Sequence, residues 1–201
     1  AAKSANLKLR MQKEDYFSRI GKLQQHIVDG DVYEVNFCQE FYAEAYDADP
    51  VSLFNKLTAI NPAPFATFLK QEGKYLIAAS PERFIRKLGN TIFSQPMKGT
   101  LARAHAGSDL ATINKLRNDP KERSENVMIV DLVRNDLARS AIPGSVKVVE
   151  LFGIYSFATV HQMVSSISAE LSPHLHFMDA IRNAFPMGSM TGAPKIKAMQ
   201  L

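Results

Sequence analysis

The sequence predicts an α+β fold built on antiparallel sheet. Three observations carry that prediction. Runs of β-forming residues follow one another between residues 65 and 95 with only short turn signals between them, the pattern of hairpins. Helical and extended patterns come in blocks (helix, a run of strands, two helices, more strands, then helices) and not in the strand–helix alternation of a parallel sheet. VMIVDLV (127–133) is apolar nearly all round, apart from Asp131, as expected of a helix enclosed by a core.

Residues 1–12 read as a polar tail, and one domain runs from Lys13 to Leu201. Tyr16, Phe17, Ile20, Leu23 and Ile27 recur at helical spacing between Lys13 and Val28, and Gly30-Asp31 ends that helix. VYEVNFCQEFY (32–42) is rich in β-formers and reads as a strand. Residues 51–60 suit a short helix, broken by Pro62 and Pro64. FATFL (65–69) with YLIAAS (75–80), and FIRKL (84–88) with TIFSQ (91–95), form two hairpins. Residues 107–118 and 121–139 read as helices, 145–152 and 155–168 as strands, and 176–184 and 193–201 as helices. AMQL (198–201) is still helical, without a cap, so the sequence reads as lacking a C-terminal piece of its domain.

The bulk numbers exclude several classes. With 201 residues, 46% hydrophobic and 22% charged, the chain has the composition of an ordinary folded domain. No apolar run reaches the roughly 18 residues of a membrane span, and the first ten residues lack the apolar stretch of a signal peptide. The net charge of +4 is mild and dispersed, Trp is absent, and no basic tract is interleaved with stacking aromatics; this argues against nucleic acid and suits a small anionic substrate. A single cysteine, Cys38, has no partner for a disulfide, which points to a reducing cytoplasm; its place among β-formers reads as packing.

Four segments are unusually polar for their turn or strand-end positions. SPERF (80–84) puts Glu82 between two strands, where a carboxyl can act as general acid or base, although a turn glutamate is more often a solvated residue. PMKGT (96–100) puts Lys98 at a strand end before a glycine that permits close backbone approach and a threonine with a hydroxyl; a lysine in a partly apolar site can be a nucleophile, while in isolation a surface lysine is the commoner case. In DPKERSENVMIVDLVRND (119–136), Glu122 and Glu125 share one helix face near the positive helix N-terminus. Two carboxylates facing one cavity call for a cation, and a hard ion such as Mg²⁺ suits them; the alternative is an exposed acidic first turn. Asp131 and Arg134 read as an ion pair within the buried stretch. FPMGSMTGAPKIKAM (185–199) is a small-residue loop opening into a helix, able to hold an anion on free N–H groups but without P-loop spacing. His161 lies in the strand ATVHQMVS, where a buried histidine needs a partner or a role.

Taken together, the segments GDVYEVNFCQEF (30–41), SPERF, PMKGT, ERSENVMIVDLVRNDLAR (122–139), PGSVKVVELF (143–152), ATVHQMVS (158–165) and FPMGSMTGAPK (185–195) resemble the chorismate-utilising enzyme family, in the family's order and over most of the chain from Gly30 onward. The resemblance implies antiparallel sheets in a sandwich-like arrangement with outer helices. It implies Glu82 as general acid or base beside the chorismate 4-hydroxyl, Glu125 as a Mg²⁺ ligand with Glu122 behind it, and His161 close to the ring or its leaving hydroxyl. Gly99, Thr100, Gly192 and Ala193 match positions that hold the substrate. Anthranilate and isochorismate synthases usually carry alanine where Lys98 stands; the branch that aminates chorismate at C4, toward 4-aminobenzoate and folate, typically carries lysine. That branch implies a covalent lysine mechanism, with ammonia supplied by a glutamine amidotransferase subunit, since no amidotransferase nucleophile motif is present here. Met187, Met190 and Ala138 depart from the family's usual glycine, isoleucine and glycine. The family's C-terminal segment, with a further glutamate ligand, a substrate-binding arginine and a glycine-rich carboxylate loop, is expected beyond Leu201, and the N-terminal region is shorter than usual. The alternatives are an anthranilate synthase component I or another chorismate-utilising enzyme, and a non-catalytic regulatory or assembly subunit.

Overall fold

The computed structural model describes residues 5–44, 47–103 and 109–201. A short strand β1 (Lys8–Leu9) precedes helix α1 (Lys13–Val28), and the segment expected as one strand over 32–42 contains two short ones, β2 (Glu34–Val35) and β3 (Phe41–Tyr42). Between them the polar side chains bind elsewhere: Asn36 Nδ2 donates to the Ser189 carbonyl at 2.9 Å, and Gln39 Nε2 to that of Met11 at 2.8 Å. The tail expected over 1–12 is thus partly structured, because β1 pairs antiparallel with β3 and Arg10 meets Glu40 at 2.8 Å. Cys38 is exposed, not packed as its neighbours suggested.

Helix α2 (Pro50–Ile60) is capped by Asp49, whose carboxylate accepts from the Ser52 N–H at 2.8 Å. The first hairpin pairs β4 (Phe65–Gln71) with β5 (Lys74–Ser80) around Glu72 and Gly73, both at positive φ (48° and 79°), as a two-residue hairpin turn of matching twist requires. The second joins β6 (Arg83–Leu88) to β7 (Thr91–Gln95), and β8 (Met97–Ala102) follows directly. Helices α3 (Asp109–Asn118) and α4 (Pro120–Ala138) come next; the part of the expected first helix over 107–108 lies outside the described residues. The boundary between the last long strands differs from expectation: β9 (Lys147–Ser156) runs further, and β10 (Val160–Glu170) starts later. The turn at 157–159 has no glycine or proline to mark it and is closed by the Phe157 N–H on the Val160 carbonyl at 2.8 Å. After α5 (Phe177–Ala184), a 3-10 turn (Gly188–Met190) leads to β11 (Gly192–Ala193) and α6 (Lys195–Gln200), so the final helix begins two residues later than expected.

Among the described residues every strand pairing is antiparallel, and β10 is the hub. One edge of β10 pairs with β9; the other pairs first with β8 and then with β7, giving a five-stranded sheet. Helix α4 packs on β8, β9 and β10, and α3 and α5 pack beside it. Ile92, Ile129 and Ile167 are fully buried in the core between them, each contributing about 1.5–3 kcal/mol. Asn126 and Ser165, both buried, join α4 to β10, and Ser165 Oγ also accepts from the Phe152 N–H at 3.1 Å. The VMIVDLV stretch is buried on one side only: Val127 is 46% exposed, and the Asp131–Arg134 pair, at 3.0 Å, lies on the surface and not in the core. The buried acid of α4 is Asp136.

Candidate active site

Lys98 lies within β8, not at its end, and the strand is irregular there. Between the pairs Gln162↔Thr100 and Val164↔Met97, β10 contributes one residue, Met163, and β8 contributes two, Lys98 and Gly99. This is a β-bulge, a device that re-aims a side chain. Gly99 has φ +97°, which explains why glycine follows the lysine. Lys98 Nζ makes an ion pair with Glu34 Oε1, and the two side chains are only 20% and 18% exposed. Glu34 is held by β2, which pairs with β11 in the register Ala193↔Glu34. Gly192 is required by that pairing: a Cβ there would fall 2.3 Å from the Glu34 carbonyl oxygen. Gly192 and Ala193 are buried, and their place in the fold is to hold β2 and so the partner of Lys98. The loop before them bonds within itself, with Thr191 Oγ1 donating to the Gly188 carbonyl at 2.9 Å.

Glu82 follows β5 and Pro81. Burial pushes its carboxyl up to about 6, opposed by the Ser189 hydroxyl, the Met97 backbone and the charge of Lys98. The structure therefore brings Glu82 and Lys98 into one electrostatic environment. On the other side of the bulge stands the start of α4. Asp119 caps this helix, accepting from the N–H groups of Lys121 and Glu122 at 2.9 and 3.1 Å. A Cβ on Gly99 would lie 3.1 Å from Glu122 Oε2, so the helix end touches the bulge. Glu122 and Glu125 share one face, and the Lys121 ammonium sits 3.9 Å from the first and 3.0 Å from the second. Both carboxylates offer hard oxygens, the donor type that Mg²⁺ takes, and in this structure the cation that meets them is Lys121. Among the described residues, no group of three or more His, Cys, Asp or Glu comes together as a metal site.

Thr100 accepts from Gln162 Nε2 at 3.4 Å, and the neighbouring cross-strand pair is Leu101 with His161. His161 is fully buried. Its Nδ1 is 2.8 Å from Ser156 Oγ, and its Nε2 lies 3.3 Å from Asp109 Oδ1, outside hydrogen-bond geometry. The Arg103 guanidinium, with His161 assisting, holds the Asp109 carboxyl below the usual carboxylate range. Three residues at the site carried little sequence signal. Glu34 is an ionisable residue among β-formers; Asp136 and Lys195, each ionisable beside apolar neighbours, form a buried ion pair at 2.5 Å.

A lysine on a strand bulge, near a buried carboxyl and an acidic helix face, gathers ionisable groups in one place, the mark of a candidate functional site. Comparison with known proteins gives the class its name. The chain belongs to the chorismate binding enzyme family, whose sequence profile matches residues 1–201. It is 45% identical over 192 residues to aminodeoxychorismate synthase component 1 of Klebsiella aerogenes, covering 95% of this chain and 42% of that protein, with the same figures for the Escherichia coli K12 protein. It is 36% identical over 199 residues to anthranilate synthase alpha subunit 1 of Oryza sativa subsp. indica, covering 98% of this chain and 34% of the relative. The crystal structure of anthranilate synthase component I from Streptococcus pneumoniae TIGR4 superposes with TM-score 0.86 at 28% identity, covering 98% of this chain and 43% of that one. The chain spans less than half the length of these relatives. No helix among the described residues is long and apolar enough to cross a membrane.

Proposed function

We propose that this chain carries the chorismate-aminating chemistry of an aminodeoxychorismate synthase, replacing the C4 hydroxyl of chorismate with ammonia on the way to 4-aminobenzoate and folate. The observation that carries the reading is Lys98 on its bulge in the electrostatic field of Glu82. With its proton passed to Glu34, the Lys98 amine adds to C2, both double bonds of the ring diene shift one position toward C4, and the C4–O bond breaks as Glu82 gives its proton to the departing hydroxyl, which leaves as water. Ammonia then forms a bond to C4, both double bonds shift back, the C2–N bond breaks to release the Lys98 amine, which recovers its proton from Glu34, and the new ammonium returns a proton to Glu82. A carboxyl titrating near 6 is protonated in roughly a tenth of molecules at pH 7, against well under ~1% for an ordinary glutamate. Covalent catalysis divides one hard displacement into two easier ones.

Mg²⁺, held by Glu125 with Glu122 behind it, would neutralise the ring carboxylate. Gly99, Thr100 and the Gly192-Ala193 backbone hold the substrate, and the pairing of β11 with β2 also supports Glu34. His161, held at its Nδ1 by Ser156, stands close to the ring or its leaving hydroxyl. Ammonia comes from a glutamine amidotransferase subunit, a partner suggested by relatives named component 1. A lone exposed Cys38 suits a reducing cytoplasm.

The test is product identity from the full protein with chorismate, Mg²⁺ and ammonium, beside Lys98→Ala. A non-aromatic aminated product, lost in the variant, is expected. Fluorescent anthranilate would move the protein to the sister branch, and no turnover would favour a non-catalytic subunit.

A further inference from the structure

We propose that Lys195 is a positioning residue for Glu82: paired with Asp136, it pins the turn over 185–191 against helix α4 and so sets Ser189 beside the Glu82 carboxyl. The inference rests on the reading of Glu82 as the acid. Lys195 and Asp136 are 9% and 8% exposed and 2.5 Å apart. The same ammonium donates to the carbonyls of Ala184 at 2.9 Å and Pro186 at 3.0 Å. Its three N–H groups thus have three acceptors and none remains for a substrate. A buried ion pair is weak evidence for stability but defines a position, and here it joins α4, the end of α5, the turn and the start of α6.

The turn has little freedom. A Cβ on Gly188 would lie 2.1 Å from Leu132 Cδ2 on α4, and on the far side Asn36 binds the carbonyls of Ser189 and Thr191 at 2.9 and 2.7 Å. Ser189 is 8% exposed. Its Oγ and Glu82 Oε1 are both buried without a hydrogen-bond partner among the described residues, and both residues line one cavity of about 10 Å³. That volume accommodates about one water. Asp136 from α4 lines the same cavity and Lys98 on β8 acts on Glu82, each of them already paired, with Lys195 and with Glu34. Two hydroxyl residues line this cavity with the acid, Ser94 and Ser189; Ser189 is the one that acts on Glu82, its hydroxyl favouring the ionised carboxyl.

The experiment is a carbon NMR titration of the protein labelled at glutamate side-chain carboxyls, with Glu82→Gln identifying the Glu82 signal. Three forms are compared: the native protein, Ser189→Ala, and Lys195→Met combined with Asp136→Leu, which removes the pair without leaving a bare buried charge. The native midpoint is expected near 6, and both variants should move it up by roughly 0.5–1 pH unit, since each weakens the Ser189 influence. An unmoved midpoint in Ser189→Ala, or a lower melting temperature with an unmoved midpoint in the double variant, would overturn the proposal and leave Lys195 a structural residue. A native midpoint in the ordinary glutamate range would instead remove the premise about Glu82, a separate failure.

Discussion

Replacing Gly99 by alanine tests the bulge that aims Lys98. At φ +97° an L-residue is strained by about 1–3 kcal/mol. The added methyl also meets Glu122 Oε2 at 3.1 Å, Glu122 Cβ at 3.2 Å and Leu116 Cδ1 at 3.2 Å. The carboxylate end can swing away. Glu122 Cβ is fixed to the helix and Leu116 is 1% exposed, so overpacking adds about 1 kcal/mol. The total, about 2–4 kcal/mol, corresponds to a fall in melting temperature of roughly 5–15 °C for a chain of this size. Thermal unfolding followed by circular dichroism measures it directly. If the strand relaxes to avoid the strain, the register with β10 changes and Lys98 is aimed elsewhere, so turnover falls further than stability explains. A variant that melts within about 1 °C of the native protein would show that the glycine holds no strained, crowded position.

Glu82 also makes stability depend on pH in an unusual direction. Its folded-state value, about 6, lies above the ordinary 4.5, so the proton it binds stabilises the native state fully below pH 4.5, and that contribution is lost as pH rises through 6. Relative to the native protein, Glu82→Gln should therefore gain about 2 kcal/mol between pH 4 and pH 7.5 in urea unfolding; a constant difference across that range would count against the buried acid. Asp119→Ala removes the cap of α4 and should cost about 1–2 kcal/mol, read as a lower urea midpoint with unchanged slope; no change would mean that solvent satisfies the Lys121 and Glu122 N–H groups equally well.

Local features of the fold were legible where local chemistry decides them. The apolar spacing of Tyr16, Ile20, Leu23 and Ile27 specifies α1, and the turn chemistry around Gly73 and Gly89 specifies both hairpins. Asp49-Pro50 and Asp119-Pro120 mark two helix starts in the sequence itself. What could not be read depends on distant partners. Nothing near Lys8 announces its pairing with Tyr42, and nothing near Glu34 announces Lys98, because each contact forms only when the sheets assemble. Asp131 and Asp136 look alike in a helical pattern, yet one is solvated and the other buried; Lys195 on α6 decides which. Lys98, Glu82, Glu122 and Glu125 stand out in the sequence by polarity at strand and helix ends, but the bulge that aims Lys98 appears only in the register of β8 against β10.

The position of β10 at the hub has a consequence in time. Strands β7 and β8 precede it by two helices and a strand, so a growing chain makes both long before the residues that pair with them exist. At translation rates of about 5–20 residues per second, their hydrogen-bonding edges stay open for seconds, and open edges invite pairing with other chains. Arrival of Val160–Glu170 closes three pairings at once and completes the five-stranded sheet. A pause during synthesis between Ala102 and Val160 should therefore lower soluble yield more than an equal pause after Glu170.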